Sequence, residues 1–208
     1  YVQLIGASGN IGMQHASFVY NRSESRRFAL SDLSCTFPTG VSLVVGPVGA
    51  GKSSLLLALL GEMDRLTGTT YMPRPDRYAS DSAGLNTSVA YCPQNPWILG
   101  TSVRNNILFG APYDEPRYRE VLHACALEPD LETFEFFDDT EVGEKGTTLS
   151  GGQKARVALA RALYSHARYV FIDDVLSAVD ANTARHLVEH AFCGRLARGR
   201  TFVLATHS

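Results

Sequence analysis

VSLVVGPVGAGKSSLLLALLGEM, from Val41 to Met63, joins two apolar runs of different length through a glycine-rich turn. VSLVV has the length and β-branched content of a buried strand, and SSLLLALLGEM (Ser53 to Met63) is apolar nearly all round, which predicts a deeply buried helix. Between them GPVGAGKSS, Gly46 to Ser54, matches the spacing G-x-x-x-x-G-K-[ST]. Glycines let the backbone curl so that successive N–H groups point at phosphate oxygens, and the following helix N-terminus adds partial positive charge. Lys52 is then expected to reach the β and γ phosphates of a nucleotide, and the Ser53 hydroxyl to bind Mg²⁺.

Further apolar runs follow: SVAYC (Ser88 to Cys92), YVFI (Tyr169 to Ile172) and TFVLA (Thr201 to Ala205). Runs apolar on both faces suit strands of a parallel sheet covered by helices. KARVALARALYSHA (Lys154 to Ala167) supplies a second helix of alternating basic and apolar turns, so the fold class is α/β with a mainly parallel core. From about Asn105 to Asp139, short helical patterns flanked by Pro112, Pro116 and Pro129 suggest a helical lobe inserted between strands. Tyr71 to Asn86 is rich in Pro, Ser, Asp and Gly and reads as a mobile loop. RTFVLATHS ends on a polar tip, where further structure is expected to continue.

A phosphate loop needs a second metal anchor, and YVFIDD offers Asp173 at the end of a buried strand, followed at once by a second carboxylate, Asp174. LSGGQKARVALARAL begins another helix, with Ser150 as N-cap and Gln153 three residues later in a capping box. Lys154 and Arg156 fall in its first turns, where the macrodipole disfavours cations, so the terminus is either an ordinary cap or a seat for an anion.

The formal net charge of -2 provides no large basic field, which disfavours general nucleic-acid binding. Cys35, Cys92, Cys125 and Cys193 form no C-x-x-C pair and read as core thiols. No apolar run approaches the roughly 18 to 20 residues of a membrane span.

With these motifs side by side, the chain resembles the nucleotide-binding domain of an ATP-binding cassette (ABC) transporter over essentially its whole length. LSGGQ, comprising Leu149, Ser150, Gly151, Gly152 and Gln153, matches that family's signature sequence. The resemblance implies a P-loop core with a mainly parallel sheet, an N-terminal antiparallel β subdomain and an inserted helical subdomain. The whole chain would be one such domain: about 1–95 and 155–208 as the β and RecA-like core, about 96–154 as the helical part. ATP and Mg²⁺ are the implied cofactors. Gly46, Pro47, Val48, Gly49, Ala50, Gly51, Lys52, Ser53 and Ser54 would contact phosphates, and Tyr20 would stack on adenine. CPQNPW puts Gln94 at the Q-loop glutamine, counted with the nucleotide, metal and catalytic residues; Ser53 and Asp173 complete the metal set, and ATHS puts His207 at the switch histidine. SAVD matches the D-loop, with Ser177, Ala178 and Asp180.

In the strongly hydrolytic members of this family a glutamate stands where Asp174 does. Aspartate is one methylene shorter and withdraws the carboxylate by on the order of 1 Å, a misplacement that can cost about a hundredfold in rate. The expectation is a slow site that retains Mg·ATP. WILGTSVRNNILFG, ACALEPDLE, TEVGEKG and the Asp173–Asp174 pair are most similar to the first nucleotide-binding domain of multidrug-resistance-associated (C subfamily) exporters. That implies a head-to-tail partner domain in the same polypeptide, with this chain's signature completing the partner's faster site. It also implies transmembrane coupling helices against Thr140 to Gly146, a place on the cytosolic face of a membrane, an exported small molecule bound elsewhere, and no nucleic acid. Two alternatives stay open: a regulatory nucleotide sensor in a receptor subunit that transports nothing, and a soluble ABC ATPase.

Two other motifs compete for attention. GASGNIG (Gly6 to Gly12), with Asp32 further on, has the outline of a dinucleotide fingerprint, but no helical period follows it, so a loop entering a strand is expected. HLVEH (His186 to His190) fits H-x-x-E-H, yet offers no third ligand in sequence and reads as a solvated helix.

Overall fold

The computed structural model describes residues 10–21, 30–74, 76 and 80–207. Four strands, β3 (Gly40–Val45), β5 (Asn86–Cys92), β6 (Ala167–Asp173) and β7 (Thr201–Thr206), form a parallel sheet in the order β3-β7-β6-β5. Three others, β1 (Ile11–Val19), β2 (Leu30–Phe37) and β4 (Asp64–Tyr71), form an antiparallel sheet in the order β2-β1-β4. Between β3 and β4 lies α1 (Lys52–Leu60); between β5 and β6 lie α2 (Val103–Leu108), α3 (Glu115–Ala124), α4 (Glu128–Leu131) and α5 (Gly151–Tyr164). After β6 comes α6 (Ala181–His186), which runs on into a π-helical turn, Leu187–Phe192. The expected α/β class with a parallel core, an antiparallel sheet and inserted helices is what forms.

The side-chain alternation of β6 and β7 separates two apolar layers. Tyr169, Phe171, Val203 and Ala205 face α1 and the antiparallel sheet, where they meet Leu56, Leu59, Ile11 and Phe18. Val170, Ile172, Phe202 and Leu204 face α5 and the inserted helices, including Leu159, Val103 and Val121. The central strands are therefore buried on both sides, as their unbroken apolar runs demand.

Three sequence expectations about burial need correction. Among the described residues β3 is an edge strand with β7 as its neighbour, and Val41, Leu43 and Val45 are 42%, 60% and 64% exposed. An apolar run thus identified the strand but not its cover, because only the Val44 side packs onto the α1 layer. In α1 itself Leu56, Ala58 and Leu59 are buried while Leu55, Leu57 and Leu60 are only half-buried, so the helix is less enclosed than its composition suggests. The cysteines differ too: Cys92 and Cys125 are core thiols, but Cys35 is half-buried on the sheet and Cys193, just past the π turn, is exposed.

Arginines fasten α5, whose C-terminal carbonyls would otherwise lack partners. Arg117 donates to the carbonyls of Leu163, Tyr164 and Ser165, and the buried Arg200 to those of Leu163 and Ser165. Cations at that end also complement the helix dipole. The described part of the segment expected as a mobile loop contains an ordered turn: the Asp81 carboxylate accepts from the Ala83 and Leu85 amides at 2.8 and 2.9 Å and pairs with Arg168.

Phe171, with no exposed surface at the centre of the sheet, reports on this layering. Phe171→Ala is expected to lower stability by about 3–5 kcal/mol, read as a shifted urea unfolding midpoint with little change in slope.

Candidate functional site

Strand register gathers the site. Val45 pairs with Thr206, Asp173 with Ala205, and Cys92 with Ile172, so the C-terminal ends of all four parallel strands lie along one edge. The residues that follow, Gly46, Gln94, Asp174 and His207, emerge together there, the usual ligand-binding edge of an open parallel sheet.

At that edge the phosphate loop turns through Gly49 (φ 82°) and Gly51 (φ 90°), both in the left-handed region that only glycine enters without strain. Gly51 caps α1, and no side-chain hydrogen bond occupies that helix N-terminus. Lys52 Nζ donates to the carbonyls of Gly46 and Pro47 at 2.8 and 2.9 Å, which holds the cation over the loop. Ala50 N donates to Pro47 O at 3.2 Å, closing the turn that carries Val48. Ser53 follows in the first turn of α1, and the Ser54 hydroxyl is 2.6 Å from the phenol oxygen of Tyr20. Tyr20, at the end of β1 and 59% exposed, is thereby fixed beside the loop.

The two aspartates sit in different surroundings. Asp173 is buried, and the Tyr91 phenol donates to its carboxylate; burial, with the Asp173 charge next, pushes that phenol up to about 12. Tyr91 therefore stays a donor at neutral pH. Asp174 enters the left-handed region (φ 56°), which Asp tolerates better than most residues, while its amide donates to Ala205 O at 2.9 Å. Gln94 Nε2 donates to Asp174 Oδ2 at 3.3 Å, and His207 Nδ1 lies 3.0 Å from both carboxylate oxygens and 3.2 Å from Ser177 Oγ. Gln94, Asp174, Ser177 and His207, four separate sequence motifs, thus form one hydrogen-bonded group. A carboxylate only accepts, so His207 Nδ1–H is the donor in its contact with Asp174.

The signature helix begins as its sequence predicts. Ser150 Oγ accepts from Gln153 N at 3.2 Å, and Gln153 Oε1 accepts from Ser150 N at 2.8 Å. Arg156, however, needs no external anion. It pairs with Asp130 at 2.5 Å and donates to Ala126 O, both side chains being largely buried, so its charge is met from within the chain. Asp130 also accepts from Gln153 Nε2 at 2.9 Å, locking the capping residue to α4. Leu149 is buried, Ser150 and Gly151 are exposed, and a Cβ on Gly151 would meet nothing within 4 Å. Gly152 differs: a Cβ there would stand 2.8 Å from Ala178 O, so the D-loop of the same chain requires glycine at this point. Among the described residues no hydrogen bond joins Leu149–Gln153 to Gly46–Ser54. Asp180 caps α6, accepting from the Asn182 and Thr183 amides and the Thr183 hydroxyl, which holds its carboxyl below the usual range.

Three residues escaped the sequence reading. Tyr91 was a phenol inside an apolar strand, a group that needs a buried partner. Arg161 interrupts the apolar pattern of α5; it donates to Trp97 O and Asn106 O, both at 2.8 Å, and its guanidinium lies 4.9 Å from the Phe109 ring centre. It ties the signature helix to the segment that carries Gln94. The third is His123, which the fold brings beside His186 and His190 of HLVEH and which the sequence pattern alone did not connect to them. In GASGNIG, Ile11 and Gly12 belong to β1, as a loop-to-strand reading predicts, and residues 6–9 lie outside the described residues. Asp32 faces His15 at 3.0 Å across the antiparallel sheet.

Residues 30–177 match the model of the ABC transporter family. The chain is 46% identical over 213 residues to the ATP-dependent bile acid permease of Saccharomyces cerevisiae, covering 100% of this chain and 13% of that protein. It is 50% identical over 185 residues to an ABC-type transporter of Talaromyces islandicus (88% of this chain, 12% of that protein). It is 47% identical over 190 residues to the pleiotropic ABC efflux transporter of multiple drugs from Candida glabrata (89% and 12%). The chain therefore spans about an eighth of the length of the curated relatives it matches. No helix among the described residues is long and apolar enough to cross a membrane.

The contrast between the signature glycines is open to measurement. Gly152→Ala is expected to speed amide hydrogen exchange in Val175–Ala178 by about tenfold or more, because the added methyl forces Ala178 away. Gly151→Ala should leave those amides unchanged.

Proposed function

The chain belongs to the ABC transporter family, and from that premise we propose that it is the ATP-binding domain of an exporter, with a slow site of its own. The observation that carries this reading is the hydrogen-bonded group of Gln94, Asp174, Ser177 and His207 beside an intact phosphate loop. The loop supplies what triphosphate binding requires. Gly49 has open space around its Cα, and Lys52 has three donors, two of them on loop carbonyls that a phosphate oxygen can replace. The Ser53 hydroxyl and the buried Asp173 carboxylate are the chemically suitable ligands for Mg²⁺, with Gln94 at its outer edge and Tyr91 orienting Asp173. Mg²⁺, when bound, neutralises the charge that develops on the transferring phosphate. Tyr20, exposed and anchored through Ser54, offers a ring face to adenine.

Asp174 holds the position of the group that polarises the attacking water. General-base assistance contributes roughly a hundred- to ten-thousandfold, so a carboxylate set back by on the order of 1 Å leaves binding intact and slows turnover. Its engagement by both His207 and Gln94 supports a nucleotide-sensing role for the group. The exposed Ser150 and uncrowded Gly151 support presentation of the signature to a partner domain, head to tail and in the same polypeptide. The much greater length of the relatives supports such a partner and the transmembrane segments whose coupling helices would meet Thr140–Gly146 at the cytosolic face. We assign the core to about 1–95 and 155–208, and the helical part to about 96–154. The first-domain position in a C-subfamily exporter is part of the same proposal, and the exported small molecule would bind in the membrane segments.

Lys52→Ala should lower ATP affinity by at least about tenfold, measured by binding of a labelled nucleotide. In the full-length protein Asp174→Glu is expected to raise ATPase turnover, on the order of tenfold or more; unchanged turnover would mean that the slow site is not limited by this carboxylate. Ser150→Arg should lower total turnover while leaving nucleotide binding at Lys52 unchanged, and turnover at the parental level would sink the partner-site role.

A further inference from the structure

Three imidazoles from two separate elements meet on the surface formed by α3 and α6. His123 closes α3, His186 ends α6, and His190 lies in the π-helical turn that follows. One ring nitrogen of each lies within 4.8 Å of one from each of the others, and the ring centres are 4.3 to 5.2 Å apart. None of the three takes part in the nucleotide group described above. We propose that His123, His186 and His190 bind a late first-row divalent cation of the Zn²⁺ type, which would clamp α3 of the inserted helices to the helix that follows the D-loop.

The donor set and its supports favour such an ion over a chance cluster. Zn²⁺ accepts imidazole nitrogens at about 2.0–2.1 Å in tetrahedral geometry, which puts ligand nitrogens about 3.3 Å apart. The ring nitrogens need to draw together by up to about 1.5 Å, within rotamer adjustment for side chains at the surface. Two of them are already oriented from outside. His123 Nδ1 is 3.1 Å from Glu128 Oε2, the carboxylate–histidine arrangement that fixes a ligand's tautomer and leaves Nε2 for the metal. His186 Nε2 donates to His123 O at 2.6 Å; a carbonyl only accepts, so the lone pair of His186 is on Nδ1.

The backbone supplies a further, independent feature. Leu187–Phe192 is π-helical, with Cys193 N donating to Val188 O at 2.9 Å, five residues back. Single π turns are rare inside helices and concentrate at functional sites. Here the turn carries His190 beside His186, and Gly194 permits the chain to leave, since a Cβ there would stand 1.9 Å from His190 O. Three imidazoles would leave a fourth position for water. Imidazole donors without sulfur suit Zn²⁺, Ni²⁺ or Cu²⁺ and disfavour Mg²⁺ and Ca²⁺, which separates this site from the Mg²⁺ expected at Asp173.

The test uses Co²⁺ as a spectroscopic probe on the purified full-length protein, followed by displacement with Zn²⁺. The expected result is visible d–d absorption without a thiolate charge-transfer band, saturating at micromolar Co²⁺ and lost on adding Zn²⁺. His123→Gln and His190→Gln should each weaken Co²⁺ binding by at least about tenfold, and Glu128→Gln by a smaller factor. His15→Gln should have no effect, and ATP binding in all variants reports that the fold persists. Absence of the d–d band in the parent protein at 100-fold higher Co²⁺, or undiminished binding in His190→Gln, would overturn the proposal.

Discussion

The pairing of Asp173 with Ala205, extended one step by the hydrogen bond from Asp174 N to Ala205 O, sets the geometry on which the site depends. A one-residue slip between β6 and β7 would exchange the two faces of each strand. Phe171 and Val203 would leave the α1 layer, and Asp173 would no longer lie at the end of the sheet. The register is therefore enforced by apolar burial on both faces, and the edge that carries the candidate site inherits its precision from that burial. After Asp174 the backbone turns left-handed, which is how a second carboxylate reaches Gln94 and His207 while the first stays buried with Tyr91.

Charge is used sparingly and locally. Arg117 and Arg200 satisfy the C-terminal carbonyls of α5, and Asp130 neutralises Arg156 near its N-terminus. The signature helix is thus held by arginine contacts near both ends, leaving Ser150 and Gly151 exposed. The Arg156–Asp130 pair fixes orientation more than it adds stability, because partial burial offsets much of its Coulomb gain.

Most of the architecture was legible in the chain because it rests on local signals: apolar runs for the parallel strands, G-x-x-x-x-G-K-[ST] for the loop, and S-x-x-Q for the signature cap. What escaped the sequence depends on contacts between distant segments. The exposure of Val41, Leu43 and Val45 follows from β3 standing at the sheet edge, which no run of Val and Leu can reveal. Arg156 read as a cation awaiting an anion because Asp130 lies 26 residues away in sequence. His123 and His186 are 63 residues apart and meet only through packing of α3 against the π turn. Tyr91 was visible as an anomaly, a polar tip in a buried strand, without any indication of its partner.

The contacts at the site close into a circuit. From Asp174 one arm runs through Gln94 and its loop to Trp97, whose carbonyl accepts from Arg161 near the end of α5. The other runs through His207 and Ser177 to Ala178, whose carbonyl rests against Gly152 at the start of the same helix. Nine residues of helix, about 13 Å, separate the two points of attachment. A helix held at one end pivots; one held at both ends is displaced as a body. Through these contacts Asp174 is linked to both ends of the signature helix. Asp174 is the residue on which both arms converge.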